Sequence, residues 1–310
     1  MVIKEDSILF HLGFIINKHR IMKPIILVPT DFTELAKAGI TYACNLASHI
    51  NAEVQLMHVY PYPSIPAEVP SDFMHAGSEQ LAKNASEKIS QIIEEYSEKH
   101  PEISFKKVLD QGPIVSNITH YAEQENISLI VMASNGAEGV RKWFVGSFSA
   151  GVVEYSKVPV LIVPDEYSGE TVPSKIVFAT DYAAGEPGPL NEVIALAKMI
   201  DAEVLITHVN LGGESLPDEM FEWYKEKVGE DVSYPRKSFH LIKGEELQET
   251  LESFVRLKEA DMMVMSIKER SFWERVLSKS ETKEMAYHPP VPFLAYHLSS
   301  FKRENAHQTA

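Results

Sequence analysis

The sequence predicts an α/β protein built from two tandem domains, on two observations. Short β-branched runs alternate with stretches of helical periodicity, as in Thr33–Asn51, where apolar side chains recur at three- and four-residue spacing. The chain also repeats itself, because Ile25–Phe32 (IILVPTDF) reappears 150 residues later as IVFATDY, ending at Tyr182. Strands separated by amphipathic helices form a mainly parallel sheet that is covered on both faces. Each copy is therefore an open α/β domain.

Further anchors extend the repeat along the chain. Glu53–Val59 (EVQLMHV) matches Glu203–Val209 (EVLITHV), and LIVMAS at 129–134 matches MVMS at 263–266. A period of this length indicates domain duplication rather than a solenoid. The proline, glycine and charge content of PDEYSGETVP, at 164–173, is typical of a linker. We expect a first copy at 22–164, a linker at 165–174, a second copy at 175–298 and a tail at 299–310.

Residues 1–21 stand apart from both copies. Ser7–Ile16 (SILFHLGFII) is an apolar run. Its length is about half of the roughly 20 residues that a membrane-spanning helix needs. Glu5 and Asp6 precede it, which does not fit a signal peptide. We interpret the segment as an extension that is not native, with translation beginning at Met22, and a docking helix is the alternative.

Composition excludes some partners. With 29 Lys and Arg against 44 Asp and Glu, the net charge is −15, a field that repels phosphodiester backbones and anionic lipid. We therefore expect neither nucleic acid nor membrane as a partner. The single cysteine, Cys44, rules out an intrachain disulfide and fits a reducing compartment. We expect a cytoplasmic protein.

A ligand of an open α/β domain binds beyond the carboxyl ends of the strands. In the first copy three loops should meet there: Pro29-Thr30-Asp31 after the first strand, His58-Val59 after the second, and the loop that follows Met132-Ala133. Asp31 is the acid that we expect to be functional. His58 and its counterpart His208 are expected to be buried, hydrogen-bonded structural residues.

The third loop, SNGAEGVRKWFVGSFSAG at 134–151, has the features of a phosphate cradle. Gly136 is followed by nine residues and then by Gly146-Ser147, after which a helix begins with Ser147 or Ser149 as its candidate cap. A helix N-terminus offers free N–H groups and a partial positive charge to an anion. Glycine at 146 lets the backbone approach a phosphate oxygen closely.

These residues, with PTDF near the start and HV ending the second strand, resemble the universal stress protein family over residues 22–298. The resemblance implies five-stranded, Rossmann-like domains of the adenine nucleotide alpha hydrolase type that bind ATP or AMP. It leaves open whether Mg²⁺ accompanies the nucleotide. Asp31 would contact the ribose and the Val59 backbone the adenine. Phosphates would contact Gly136, Gly146, Ser147 and Phe148. The implied set is completed by Pro29, Thr30, Met132, Ala133 and Ser149.

Two departures from the family pattern bear on function. The first glycine of the motif is Ala133, whose methyl group either crowds the ribose or is accommodated at a cost of about 1 kcal/mol. In the second copy Ser266, Glu269 and Lys279 replace the three glycines, while Ser280 matches Ser147. A carboxylate there repels phosphate, so we expect a nucleotide-silent second copy that pairs with the first. In this family the edge strands of two domains pair with each other, so the resemblance implies that the two copies pair in the same way. Whether two chains also form a homodimer is left open.

Other chemistries fit less well. In GSFSAG, Ser147 stands two residues before Ser149, where a hydrolase elbow requires glycine, and no GKS or GKT follows a glycine-rich loop. The twelve histidines show no metal-ligand spacing. Two functions remain: a regulatory or stress-response module that binds ATP or AMP in its first copy, and a ligand-free, stress-related interaction protein. Enzyme activity, as a slow ATPase at most, ranks third.

Overall fold

The computed structural model describes residues 16–17, 20–21, 23–60, 62, 71–134, 147–164, 167, 172–182, 187–212, 217–267 and 290–297. Two short strands precede the first copy, which then alternates strands and helices as its apolar periodicity predicts. In chain order these elements are β1 (Ile16–Asn17), β2 (Arg20–Ile21), β3 (Ile25–Pro29), α1 (Glu34–Ile50), β4 (Glu53–Tyr60), α2 (Ser71–Lys99), β5 (Phe105–Gln111), α3 (Ile114–Gln124), β6 (Leu129–Ala133), α4 (Ser147–Tyr155) and β7 (Val160–Val163).

The second copy repeats this order over its described residues. Its elements are β8 (Lys175–Ala179), α5 (Pro187–Ile200), β9 (Glu203–Asn210), α6 (Pro217–Asp231), β10 (Lys237–Lys243), α7 (Leu247–Lys258), β11 (Met262–Ile267) and β12 (Phe293–His297).

The two copies share one ten-stranded sheet, with strand order β10-β9-β8-β11-β12-β7-β6-β3-β4-β5. Every neighbouring pair is parallel except β7 and β12, which pair antiparallel through Val160, Leu161 and Ile162 opposite Ala295, Leu294 and Phe293. These strands are buried along almost their whole length, so each covers the edge that the other would expose. The predicted fold class, α/β with a mostly parallel sheet flanked by helices, is confirmed.

Helices cover both faces of the sheet. The hydrophobic core is continuous across the seam, the line along which β7 of the first copy pairs with β12 of the second. Buried side chains of α1, α2, α5 and α6 pack on one face, and those of α3, α4 and α7 pack on the other. On the first face α1 contacts α5, and the ring of Tyr42 lies 5.8 Å from that of Tyr167. The seam therefore joins two cores as well as two edges.

Within the segment that precedes the first copy, β1 and β2 pair antiparallel, with Ile16 opposite Ile21. Among the helices that the structure describes, none is both long enough and apolar enough to cross a bilayer.

Candidate functional site

The turn after β3 is fixed by backbone and side-chain hydrogen bonds. The Thr30 N–H donates to the Met57 carbonyl at 2.8 Å, which extends the pairing of β3 with β4 by one residue. The buried hydroxyl oxygen of Thr30 accepts from the Phe32 N–H at 3.1 Å. The first bond holds Thr30 to β4 and the second bridges Asp31, so the position of Asp31 at the carboxyl edge of the sheet is determined by the residues on either side of it.

Asp31 is exposed and lies at the start of α1. Its Oδ1 accepts from the Thr33 N–H at 3.0 Å and from the Thr33 hydroxyl at 2.6 Å. Thr33 in turn caps α1, since its hydroxyl oxygen accepts from the Ala36 N–H at 3.3 Å. Both bonds of the carboxylate reach Oδ1, and Oδ2 accepts none from the described residues.

Phe32 and His58 form a contact that the sequence did not predict. Phe32 has a φ of 68°, in the left-handed region that bulky side chains rarely adopt. Its ring lies 4.2 Å from the His58 ring, and His58 Nδ1 is 2.7 Å from the Thr30 carbonyl oxygen. His58 thus makes the hydrogen bond that the sequence predicts, but its side chain is half-buried and not fully buried as expected. The signal in the sequence was the joint recurrence of an aromatic residue after Thr-Asp and of a histidine 26 residues later.

Val59 presents backbone rather than side chain to this edge. The Val59 side chain is buried. Two other residues of β4 in the same alternation, Glu53 through its N–H and Met57 through its carbonyl, bond to the chain at β3. Alternate residues of a strand direct these groups to the same neighbour, so those of Val59 point the same way. Since β3 ends at Pro29, opposite Met57, the Val59 groups face the space beyond its end.

Met132 and Ala133 end β6, the other neighbour of β3, and both are buried. The Ala133 methyl group lies against α1. A Cβ built on Gly39 would be 3.7 Å from the Ala133 Cβ and 3.1 Å from its backbone nitrogen. Gly39 therefore lets α1 approach the backbone of Ala133 closely, and the expectation about the Ala133 methyl group and the ribose stays a prediction.

Helix α4 begins at Ser147, beside the end of β6. The Ser149 hydroxyl is buried and donates to the Ala133 carbonyl at 3.4 Å, so it ties the helix to the strand instead of capping the N-terminus as expected. Phe148 is half-exposed, at 47%. Gly136, Gly146 and the Ser147 side chain lie outside the described residues.

The described candidates therefore occupy neighbouring strand ends. In the sheet order β6-β3-β4, the ends carry Met132-Ala133, Pro29-Thr30-Asp31 and Val59, and α4 starts at the same edge. Strand order reverses here, because the chain runs from β3 to β4 and β5 on one side and then returns through α3 to β6 on the other side of β3. Such a switch point is where ligands of open α/β sheets bind.

The second copy preserves the turn in detail. His208 Nδ1 is 2.9 Å from the Thr180 carbonyl oxygen, and Tyr182 has a φ of 59° with its ring stacked on His208 at 4.0 Å. Tyr224 adds a third ring 4.8 Å from that of Tyr182. The replacements Glu269, Lys279 and Ser280 lie outside the described residues. At the end of β11, the Ser266 hydroxyl oxygen is buried and has no hydrogen-bond partner among the described residues.

Histidine, cysteine and acidic side chains do not gather into a potential metal site anywhere in the described part of the chain.

Comparison with known proteins identifies the first copy. The universal stress protein family model matches residues 22–164. A universal stress protein of Methanocaldococcus jannaschii is 28% identical over 142 residues, which cover 44% of this chain and 80% of that protein.

Solved structures extend the likeness to the second copy. A universal stress protein from Archaeoglobus fulgidus matches over 88% of this chain and 96% of its own, with a TM-score of 0.64 and 20% identity. At that identity the likeness concerns the fold. Another universal stress protein, solved in complex with cAMP, covers 46% of this chain with 18% identity and a TM-score of 0.34, and the cAMP is a ligand of that protein.

Proposed function

Because the universal stress protein family model matches residues 22–164, we propose that this protein is a nucleotide-binding regulatory module that holds ATP or AMP in its first copy. One observation carries the proposal. The Asp31 carboxylate, the outward-facing backbone of Val59 and the start of α4 lie at one switch point of the sheet. Between them they offer a partner for a sugar hydroxyl, for a base edge and for phosphate.

Asp31 supplies the sugar contact. Its Oδ1 is held by Thr33, so the carboxylate is oriented before a ligand arrives and its Oδ2 can accept from a ribose hydroxyl. An oriented acceptor loses little side-chain entropy on binding, which favours affinity.

The Val59 backbone supplies the base contact. A backbone N–H and C=O beyond the end of β3 form a donor and acceptor pair, and the edge of an adenine carries the complementary groups. The buried side chains of Val59 and Met132 supply apolar surface next to this pair.

The start of α4 supplies the phosphate contact. N–H groups of the first helical turn favour an anion there, and Gly136 and Gly146 come from the loop that the sequence predicts to be the cradle. The Ala133 methyl group is buried and lies against α1, so we expect the departure from the family pattern at this position to leave room for the nucleotide.

Calorimetric titration tests the proposal. ATP or AMP should bind with about one site per chain, and Gly146→Glu should abolish binding by placing a carboxylate where phosphate must lie. Lys279→Glu, at the matching position of the second copy, serves as the control and should leave binding intact. Full-strength binding by the Gly146→Glu variant would refute the assignment.

The second candidate function is a ligand-free interaction protein. It is favoured only by the alanine in the motif, and it predicts that no nucleotide accompanies the purified protein. Mass spectrometry of small molecules released from freshly purified protein distinguishes the two, because the nucleotide proposal predicts ATP or AMP in the released fraction.

A further inference from the structure

We infer that His58 is a positioning residue for the nucleotide site, which it serves by holding the Thr30-Asp31-Phe32 turn in its ligand-binding shape. The inference rests on the proposed function and adds a residue that lies behind the ligand contacts. Two interactions carry it: the hydrogen bond from His58 Nδ1 to the Thr30 carbonyl and the close, tilted contact between the His58 and Phe32 rings.

The hydrogen bond determines how the imidazole is protonated. A carbonyl oxygen only accepts, so Nδ1 must carry a proton and donate it at 2.7 Å. The backbone N–H of Thr30 is already bonded to Met57, so both polar backbone groups of this residue are fixed by β4. Thr30, which precedes Asp31, is thereby held to β4, which carries Val59. The positions of the proposed sugar contact and base contact are therefore fixed relative to each other.

The ring contact explains how the turn is maintained. Phe32 follows Asp31 in a left-handed conformation that a bulky residue adopts only when its surroundings impose it. The His58 ring covers the Phe32 ring at 4.2 Å, and Lys88 of α2 lies 5.3 Å from the centre of the same ring. Without the imidazole, the Phe32 backbone would relax toward negative φ, and the Asp31 carboxylate would turn with it.

The second copy supplies an internal control. His208, Thr180 and Tyr182 reproduce the bond at 2.9 Å and the stacking at 4.0 Å. Removal of either histidine should therefore cost similar stability. Only the loss of His58 should change nucleotide affinity, because the second copy is expected to bind none.

The experiment compares His58→Leu, His58→Asn and His208→Leu in the full chain, by ATP calorimetry and by thermal unfolding. We expect His58→Leu to weaken ATP binding by roughly tenfold, the factor that one hydrogen bond supplies. His58→Asn should recover part of the affinity, since its amide can donate to the same carbonyl. His208→Leu should lower the unfolding temperature as much as His58→Leu does. Its ATP affinity should stay within about twofold of the wild-type value, a smaller change than the loss of one hydrogen bond causes.

Each outcome decides the inference. If the wild-type chain binds no ATP, the proposed function fails and the inference fails with it. If the wild-type chain binds ATP and His58→Leu binds equally well, the inference alone is overturned. Equal loss of affinity in His58→Leu and His208→Leu would also overturn it, because the effect would then come from general destabilisation. Should His58→Leu not fold, His58→Asn against the corresponding His208→Asn makes the same comparison.

Discussion

Substitution of Gly39 by alanine tests how tightly α1 packs on the strand end that forms the candidate site. A Cβ at this position would lie 3.1 Å from the backbone nitrogen of Ala133 and 3.4 Å from the carbonyl carbon of Met132. Both are backbone atoms, so no side-chain rotation can relieve the contact. Helix and strand must separate by a few tenths of an ångström, and Asp31, at the start of α1, should move relative to Ala133.

The magnitude follows from two opposing effects. Alanine is favoured over glycine inside a helix by about 1 kcal/mol, whereas overpacking a tight contact costs about 1 to 3 kcal/mol. The net effect at Gly39 is a loss of about 0 to 2 kcal/mol in the free energy of unfolding. Gly77, inside α2, has no atom within 4 Å of a built Cβ, so Gly77→Ala should gain the full helix-propensity effect.

Urea denaturation followed by circular dichroism measures the difference between the two variants, which we expect to be about 1 to 3 kcal/mol in favour of Gly77→Ala. ATP titration should show weaker binding for Gly39→Ala and unchanged binding for Gly77→Ala. If both variants gain stability equally, α1 does not pack on the backbone of β6 as tightly as described.

Three further predictions concern burial. Burial holds the pKa of His240 below its ordinary value, so the unfolded chain binds a proton at this histidine more readily than the folded chain does. The free energy of unfolding should therefore fall as the pH drops below about 6.5. The fall should be smaller in His240→Gln than in the control variant His120→Gln, in which an exposed histidine is replaced. Burial raises the pKa of the Cys44 thiol to about 12, so a thiol reagent at pH 8 should react with it only after denaturant is added. Leu161 is buried at the β7–β12 seam, so Leu161→Ala should cost about 2 to 5 kcal/mol in urea denaturation, against under about 0.5 kcal/mol for Leu257→Ala, which is 77% exposed.

The sequence predicts the elements of this fold well because local periodicity and internal repetition both report on them. The repeat around Thr-Asp and His-Val locates the same strand ends in each copy. The apolar character of β7 and β12 shows that they need cover, yet periodicity does not say which strand supplies it. Their antiparallel pairing depends on contacts between residues more than 130 positions apart, and only the family resemblance pointed to it.

The candidate site is predictable in its positions and less so in its contacts. Asp31 and Val59 could be chosen because strand ends are recognisable in the sequence. The role of Gly39 was missed, since a glycine within an apolar helical pattern carries no sign of the strand that it faces. Ser149 was one of two candidate caps, with Ser147, and its hydroxyl instead donates to the Ala133 carbonyl, a partner 16 residues away. The left-handed φ of Phe32 likewise follows from packing on His58.

The central claim is that one copy binds nucleotide while its structural twin does not. Calorimetric stoichiometry of ATP binding to the wild-type chain, Asp31→Ala and Asp181→Ala tests it most directly, because the two aspartates occupy equivalent turns. The account predicts about one ATP per chain, weaker binding for Asp31→Ala, and unchanged affinity and stoichiometry for Asp181→Ala. Two sites per chain, or a loss of affinity in Asp181→Ala equal to that in Asp31→Ala, would contradict it.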